Sequence, residues 1–79
     1  MTKNQLRIIK ILIANERDYY EAKLRGEPVL ERDIWWEAIL PGDQKTVRCL
    51  QDRGLVETET RNETQLHARL VEEIDESEL

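Results

Sequence analysis

Cysteine is almost absent from this chain of 79 residues, since it occurs only at Cys49. One thiol cannot form an intrachain disulfide, so the sequence excludes a disulfide-stapled fold and favours a reducing compartment, the cytoplasm. We expect Cys49 to be a small, buried, apolar side chain. A run of about 18 apolar residues is also absent, which argues against a membrane span. The apolar stretch after Met1 is broken by Arg7 and Lys10, which is not the pattern of a secretory signal.

Residues that perform chemistry are scarce as well. Three glycines are too few for a glycine-rich phosphate loop, and the only serine, Ser77, lies in an acidic stretch. His67 and Cys49 together supply at most two metal ligands. As a nucleophile pair they would also need an orienting third group and an oxyanion pocket. We therefore expect no enzyme activity, no metal and no cofactor.

The charge is unevenly distributed. The formal net charge is −5, and residues 71–79 contain five acids and no bases, so residues 1–70 are neutral overall. A neutral body can bind nucleic acid only through a local basic patch. The acidic tail either has a function or simply maintains solubility. The length predicts one domain over residues 1–79, with the tail beginning at about residue 71.

The first forty residues predict two helices. Thr2 and Gln5 have the spacing of a capping box, which predicts that a helix begins there. One broad arc of this helix is apolar: Leu6, Ile8, Ile9, Leu12 and Ile13, continued by Tyr19, Tyr20 and Leu24. Ile11 projects outside the arc, so either the helix bends near Ala14 or Ile11 meets a partner. Gly26 and Pro28 end the helix, which is continuous to Leu24 or divided into two pieces. A second helix, capped by Asp33, is predicted over residues 34–40.

The segment from Pro41 to Gly54 is the most informative part of the sequence. Pro41-Gly42-Asp43 predicts a tight turn, and Asp43 can cap a third helix over residues 43–53. Thr46, Val47 and Leu50 would face the core, and Gly54 suits a left-handed helix stop. The opposite face is polar and cationic, which is the chemistry needed at a DNA groove, and comprises Gln44, Lys45, Arg48 and Gln51.

The remaining residues predict a β-hairpin. Val56, Thr58 and Thr60 alternate with charged residues, and a matching alternation follows from Thr64 to Leu70. Arg61-Asn62-Glu63 is the predicted tip. After Leu70 we expect a final helical turn around Val71 and Ile74, or a frayed tail.

With these elements in order, residues 33–70 resemble the winged helix-turn-helix family. The resemblance implies an α+β fold of three helices followed by a two-stranded β-wing. It also implies that the third helix enters the major groove while the wing touches the backbone or the minor groove. Carried over by position, the DNA-binding residues would be Gln44, Lys45, Arg48, Gln51, Arg61 and Asn62.

Two functions remain open at this point. One is a small cytoplasmic regulator, nucleoid-associated, that occupies double-stranded DNA, similar to those of phages and plasmids. The other is a protein-binding winged helix of a mobile element: an inhibitor, an adaptor or a nucleic-acid mimic. A homodimer would double the phosphate contacts. The residues that suggest a dimer or partner interface are Ile11, Tyr19, Tyr20, Trp35 and Trp36.

Overall fold

The computed structural model describes residues 1–28 and 36–79 and shows an α+β fold. Its elements are two α-helices, α1 (Lys3–Leu24) and α2 (Gln44–Asp52), and three strands, β1 (Glu37–Ala38), β2 (Val56–Arg61) and β3 (Gln65–Leu70). Short 3₁₀ turns occupy Pro41–Asp43 and Glu76–Glu78. In this described part of the chain, neither α-helix combines the length and apolar character that crossing a bilayer requires.

The first helix begins and ends where local chemistry directs it. The Thr2 hydroxyl accepts a hydrogen bond from the Gln5 amide at 3.1 Å, and the Gln5 side chain accepts one from the Thr2 amide at 3.2 Å. This is the predicted capping box. The helix is continuous to Leu24, which answers the question of a break near Ala14. Gly26, at φ 74°, then closes it in a left-handed stop.

The predicted second helix is wrong where it can be compared. Residues 33–35 of that prediction lie outside the described residues, and the remainder contains a strand rather than a helix. Glu37 and Ala38 pair with Ala68 and His67 of β3, and the Ile39 amide donates to the Leu66 carbonyl at 2.8 Å. These partners are distant in sequence, so the pairing overrides the local helical pattern.

The predicted third helix is α2, and its glycine stop is confirmed. Gly54 has φ 75°, its amide donates to the Gln51 carbonyl at 2.9 Å, and the Leu55 amide donates to the Leu50 carbonyl at 3.1 Å. This pair of bonds is a Schellman motif. Leu55 consequently packs against the core at the point where the chain turns into β2.

The sheet has the order β1-β3-β2, and all its strands are antiparallel. The hairpin of β2 and β3 is confirmed, while β1 is a third strand that the sequence prediction lacked. The hairpin register places Val56 opposite Leu70 and Thr58 opposite Ala68. These residues face the helices, and their neighbours Glu57 and Arg69 face the other way.

One core joins the helices to the inner face of the sheet. Its fully buried members come from α1, α2, β2 and β3: Ile8, Ile9, Leu12, Val47, Leu50, Val56, Leu66, Ala68 and Leu70. Because the helices of the described residues lie on this face, the molecule is thin, with extents of 36 × 35 × 18 Å. The outer face of the sheet bears Trp36 together with charged side chains, among them Glu57 and Arg69.

Candidate nucleic-acid interface

The polar face of α2 is the candidate interface. Val47 and Leu50 have no exposed surface, which fixes the rotation of the helix about its own axis. Lys45, Arg48 and Gln51 are exposed as a consequence. Gln44, predicted for the same face, is half-buried, as is Thr46, which was predicted to face the core.

Arg48 is ordered by a small network on this face. Its guanidinium donates to the Gln51 side-chain oxygen and to the Thr58 hydroxyl, both at 3.2 Å, and Thr58 donates to the same Gln51 oxygen at 3.1 Å. Since Thr58 belongs to β2, the network joins two predicted site residues to the hairpin. A guanidinium held in this way has a defined position from which to meet an anionic or planar acceptor.

The two ends of α2 are tied to the first turns of α1. At one end Arg7 forms an ion pair with Asp43, with a shortest N–O distance of 2.5 Å. Hydrogen bonding to Asp43 raises the pKa of Arg7 above its usual value. At the other end Arg53 donates to the side-chain oxygen of Gln5 at 3.2 Å. These contacts hold α2 in place relative to the longer helix.

Asp43 does not cap α2 in the predicted manner. It occupies the N-cap position, but its side chain makes no capping hydrogen bond. The carboxylate is turned to Arg7 instead. A charge-assisted, two-point contact with a guanidinium competes successfully with one amide hydrogen bond.

The exposed side of α2 is not uniformly cationic. Asp52 is exposed, and it follows Arg48 at four-residue spacing, the distance at which helix side chains become neighbours. Cys49 is exposed as well, so the expectation of a buried thiol is wrong. Its position lies between Lys45 and Asp52 on the helix surface, away from the Val47–Leu50 side.

The hairpin tip contains the predicted turn. Asn62 and Glu63 both have positive φ, 51° and 68°, and residues 62–64 connect the paired residues Arg61 and Gln65. Asn62 is exposed at this tip, beyond the last residue of β2. It can therefore reach a ligand lying along the hairpin.

Arg61 lies on the other side of the sheet from α2. Alternation along β2 places it with Glu57 and Glu59 on the outer face, and its guanidinium contacts Glu59 at 3.2 Å. The structure thus brings Arg48 and Gln51 together but does not bring Arg61 to them. Sequence spacing alone does not reveal this, because the strand pattern does not contain the side of the sheet on which α2 packs.

Trp36 forms the centre of the outer face. The Arg69 guanidinium carbon is 4.4 Å from the Trp36 ring centre, and that of Arg61 is 5.9 Å away. Arg69 also pairs with Glu57 at 3.5 Å. Two arginines over one indole are a favourable cation–π arrangement. Trp36 is half-buried by this packing.

The remaining predicted interface residues differ in exposure. Ile11 is 37% exposed and Tyr20 52% exposed. Tyr19 is only 4% exposed, because its position on α1 coincides with the arc of Ile8 and Leu12, and its side chain therefore belongs to the buried side of the helix. Trp35 lies outside the described residues.

Glu37 is a half-buried acid on the inner side of β1. Burial raises the pKa of Glu37, and the negative charge of Asp18 on α1 adds to the effect, while His67 opposes it. On α1, Arg7 therefore attracts the carboxylate of Asp43, while Asp18 repels that of Glu37.

The acidic tail is attached to the body. Ile74 packs against the core, and Glu76 pairs with Arg17 of α1 at 3.1 Å. The Asp75 carboxylate accepts hydrogen bonds from the Ser77 amide and hydroxyl, which lower the pKa of Asp75. Part of the tail charge is thereby placed beside α1.

His67 does not join a metal-ligating group. Its Nδ1 lies 3.3 Å from the Gln65 carbonyl oxygen. Among the described residues no three histidine, cysteine or carboxylate side chains come together in a way that could hold a metal ion.

No family model, no curated protein and no solved structure matches this chain in sequence or fold comparison.

Proposed function

We propose that this protein binds double-stranded DNA through the exposed face of α2 and acts as a small sequence-specific regulator of transcription. The observation that supports this most directly is the division of α2 into two sides. Val47 and Leu50 are fully buried, while Lys45, Arg48 and Gln51 are exposed on the same nine-residue helix. A short helix seated in this way can be presented to the major groove.

The arrangement of the sheet adds support. The hairpin emerges directly from the C-terminal stop of α2, and Thr58, on the inner face of the edge strand β2, accepts a hydrogen bond from Arg48. A helix followed by a hairpin beside it is similar to the winged-helix arrangement. In this proposal Lys45 binds phosphate, Arg48 and Gln51 contact base edges, and Asn62 at the hairpin tip approaches the backbone.

The charge of α2 limits the strength of the proposed contact. Lys45 and Arg48 are accompanied by Asp52 on the exposed side. Few phosphates are therefore neutralised per chain, and we expect weak binding to DNA of arbitrary sequence. Each phosphate contact contributes a slope of about −0.9 to a plot of log K against log salt.

Fluorescence anisotropy with labelled duplexes of mixed sequence tests the proposal, and selection from the same pool provides the preferred site. Arg48→Ala should remove the preference between selected and unselected duplexes. Lys45→Ala should weaken both equally and reduce the salt slope by about 0.9. Lys23→Ala, which removes an equal charge from the far end of α1, is the matched control and should change neither quantity.

Absence of binding to any duplex at low salt would overturn the proposal. The alternative would then be a protein-binding winged helix. Asp52 on the exposed side of α2 and the attached acidic tail are the observations that favour it, because both add negative charge to a surface that DNA would avoid. Retained DNA binding in the Lys45→Ala, Arg48→Ala double variant would instead move the site away from α2.

A further inference from the structure

Besides the polar face of α2, the outward face of α1 is a second exposed surface, and it combines charged and apolar side chains. Opposite its buried arc, this face exposes a line of residues along the whole helix: Lys3, Arg7, Lys10, Ala14, Asp18, Glu21 and Leu24. Leu24 is 88% exposed and Ile11, at the edge of the line, is 37% exposed. A shallow groove runs along the first half, beside half-buried Leu6.

Charge is segregated along this face. Residues 3–12 contain three bases, Lys3, Arg7 and Lys10, and no acid. In the second half the face bears Asp18 and Glu21, and the nearby Arg17 is already paired with Glu76. Bases therefore cluster in the first half of this face, and acids follow at Asp18 and Glu21. Lys23 and the Glu27-paired Arg25 return positive charge at the helix end. The small residue Ala14 lies close to the midpoint of the helix.

We propose that two copies of this chain associate through α1, packed antiparallel about a two-fold axis at Ala14. In that pairing Lys10 lies opposite Asp18 of the second copy. Arg7, which also contacts Asp43 of its own chain, lies opposite Glu21 of the second copy. Leu24 of each copy comes to the exposed edge of Leu6 of the other. A two-fold axis makes every such contact occur twice.

The antiparallel orientation follows from the charges. A parallel pairing would place Lys10 beside Lys10 and Glu21 beside Glu21, whereas the antiparallel one places unlike charges together and also opposes the helix dipoles. Ala14 allows the helix axes to approach closely at the centre. One helix from each copy buries less than the roughly 800 Å² per partner of a standard interface, so we expect a dissociation constant in the micromolar range.

A charge-swap series measured by sedimentation equilibrium tests the pairing. Lys10→Asp and Asp18→Lys should each raise the dissociation constant of the full chain about tenfold, since each variant opposes two like charges. The combined variant should restore dimerisation, because the swapped charges again face opposite ones. Lys10 and Asp18 are two helical turns apart within one chain, so restoration cannot come from an intrachain pair.

Cysteine cross-linking provides the orientation. In a Cys49→Ser background, Ala14→Cys should form a disulfide-linked dimer on mild oxidation, because the two residues meet at the axis. Lys3→Cys should remain unlinked, since the antiparallel arrangement keeps the two copies of residue 3 at opposite ends. Efficient linkage through Lys3→Cys, a monomer at every concentration, or a combined swap that fails to restore dimerisation would each overturn the proposal.

Discussion

The beginnings of α1 and α2 have the same kind of capping residue but use it differently. Thr2 caps α1 through a reciprocal bond with Gln5, three residues away. Asp43 stands at the same position before α2, yet its carboxylate binds Arg7 of the other helix. The start of α1 is thus stabilised by residues next to it in sequence, and the start of α2 by a tertiary contact. A nine-residue helix is too short to be stable alone, so it gains most from such external contacts.

The largest expected effect comes from removing what seats α2 on the core. Leu50→Ala should lower the free energy of unfolding by about 3 kcal/mol, because it deletes a fully buried side chain and leaves a cavity. Leu40→Ala is the matched control, since Leu40 is 70% exposed. Urea denaturation measures both. Equal effects of the two variants would contradict the view that α2 depends on its buried side.

The glycines that end α1 and α2 should respond alike to substitution, although the starts of the two helices are stabilised differently. Gly54→Ala and Gly26→Ala place a β-carbon on residues at φ 75° and 74°, so each should cost about 1 kcal/mol of unfolding free energy. Gly42→Ala is the control, because that position has no positive φ and open space around it. Thermal unfolding measures the stability of the three variants. An equal loss of stability in Gly42→Ala and Gly54→Ala would contradict this explanation.

Removal of the local cap should loosen α1 only at its start. Thr2→Ala should cost about 1 kcal/mol and should speed hydrogen exchange at the Gln5 amide, which loses its acceptor. Thr2→Ser keeps the hydroxyl and should behave as the parent does. Exchange that accelerates along α2 as well would show that the two starts are not separate.

The tertiary contact at the start of α2 should show a smaller effect that depends on salt. A double-mutant cycle of Arg7→Ala and Asp43→Ala isolates the pair. We expect a small favourable coupling, because the Arg7 side chain is 47% exposed and water screens the charges. The coupling should shrink at high salt. Absence of coupling at low salt would mean that the contact of Asp43 with Arg7 does not stabilise the fold.

Asp18 and Glu37 provide the repulsive counterpart of Arg7 and Asp43, with the smallest expected effect. Because the folded state raises the pKa of Glu37, the fold favours its protonated form. The resulting stability is fully present below the pKa of the unfolded chain and is lost as pH rises through the folded value. Glu37→Gln should therefore raise the unfolding free energy slightly at pH 7, with the advantage vanishing in acid. Exposed Glu72→Gln, as control, should show no such pH-dependent gain.

Features with nearby partners could be predicted from the sequence. The capping box at Thr2, the stop at Gly54 and the hairpin tip at Asn62 each involve residues within a few positions of one another. The burial of Val47 and Leu50 followed from helical periodicity alone. These local rules were sufficient for the α+β class and for the side of α2 that is exposed.

Features with distant partners were missed for one shared reason. The strand at Glu37 and Ala38 exists because of pairing with β3, and the turning of Asp43 exists because of Arg7. The separation of Arg61 from Arg48 depends on which face of the sheet receives α2. None of these is contained in a short window of sequence, so a helical pattern and a capping preference were the best available predictions there.

The network of Arg48, Gln51 and Thr58 has a consequence for the proposed recognition of DNA. An unrestrained arginine at a surface loses up to about 2 kcal/mol of rotamer entropy when a ligand immobilises it. Here folding has already restricted that freedom, because two oxygens hold the guanidinium above β2. A ligand must replace the Gln51 and Thr58 oxygens as acceptors of Arg48, so binding is favoured only when the acceptors of the ligand match that geometry. In the proposed interface Arg48 would thus act as a pre-organised probe, more suited to discrimination between ligands than to strength of attachment.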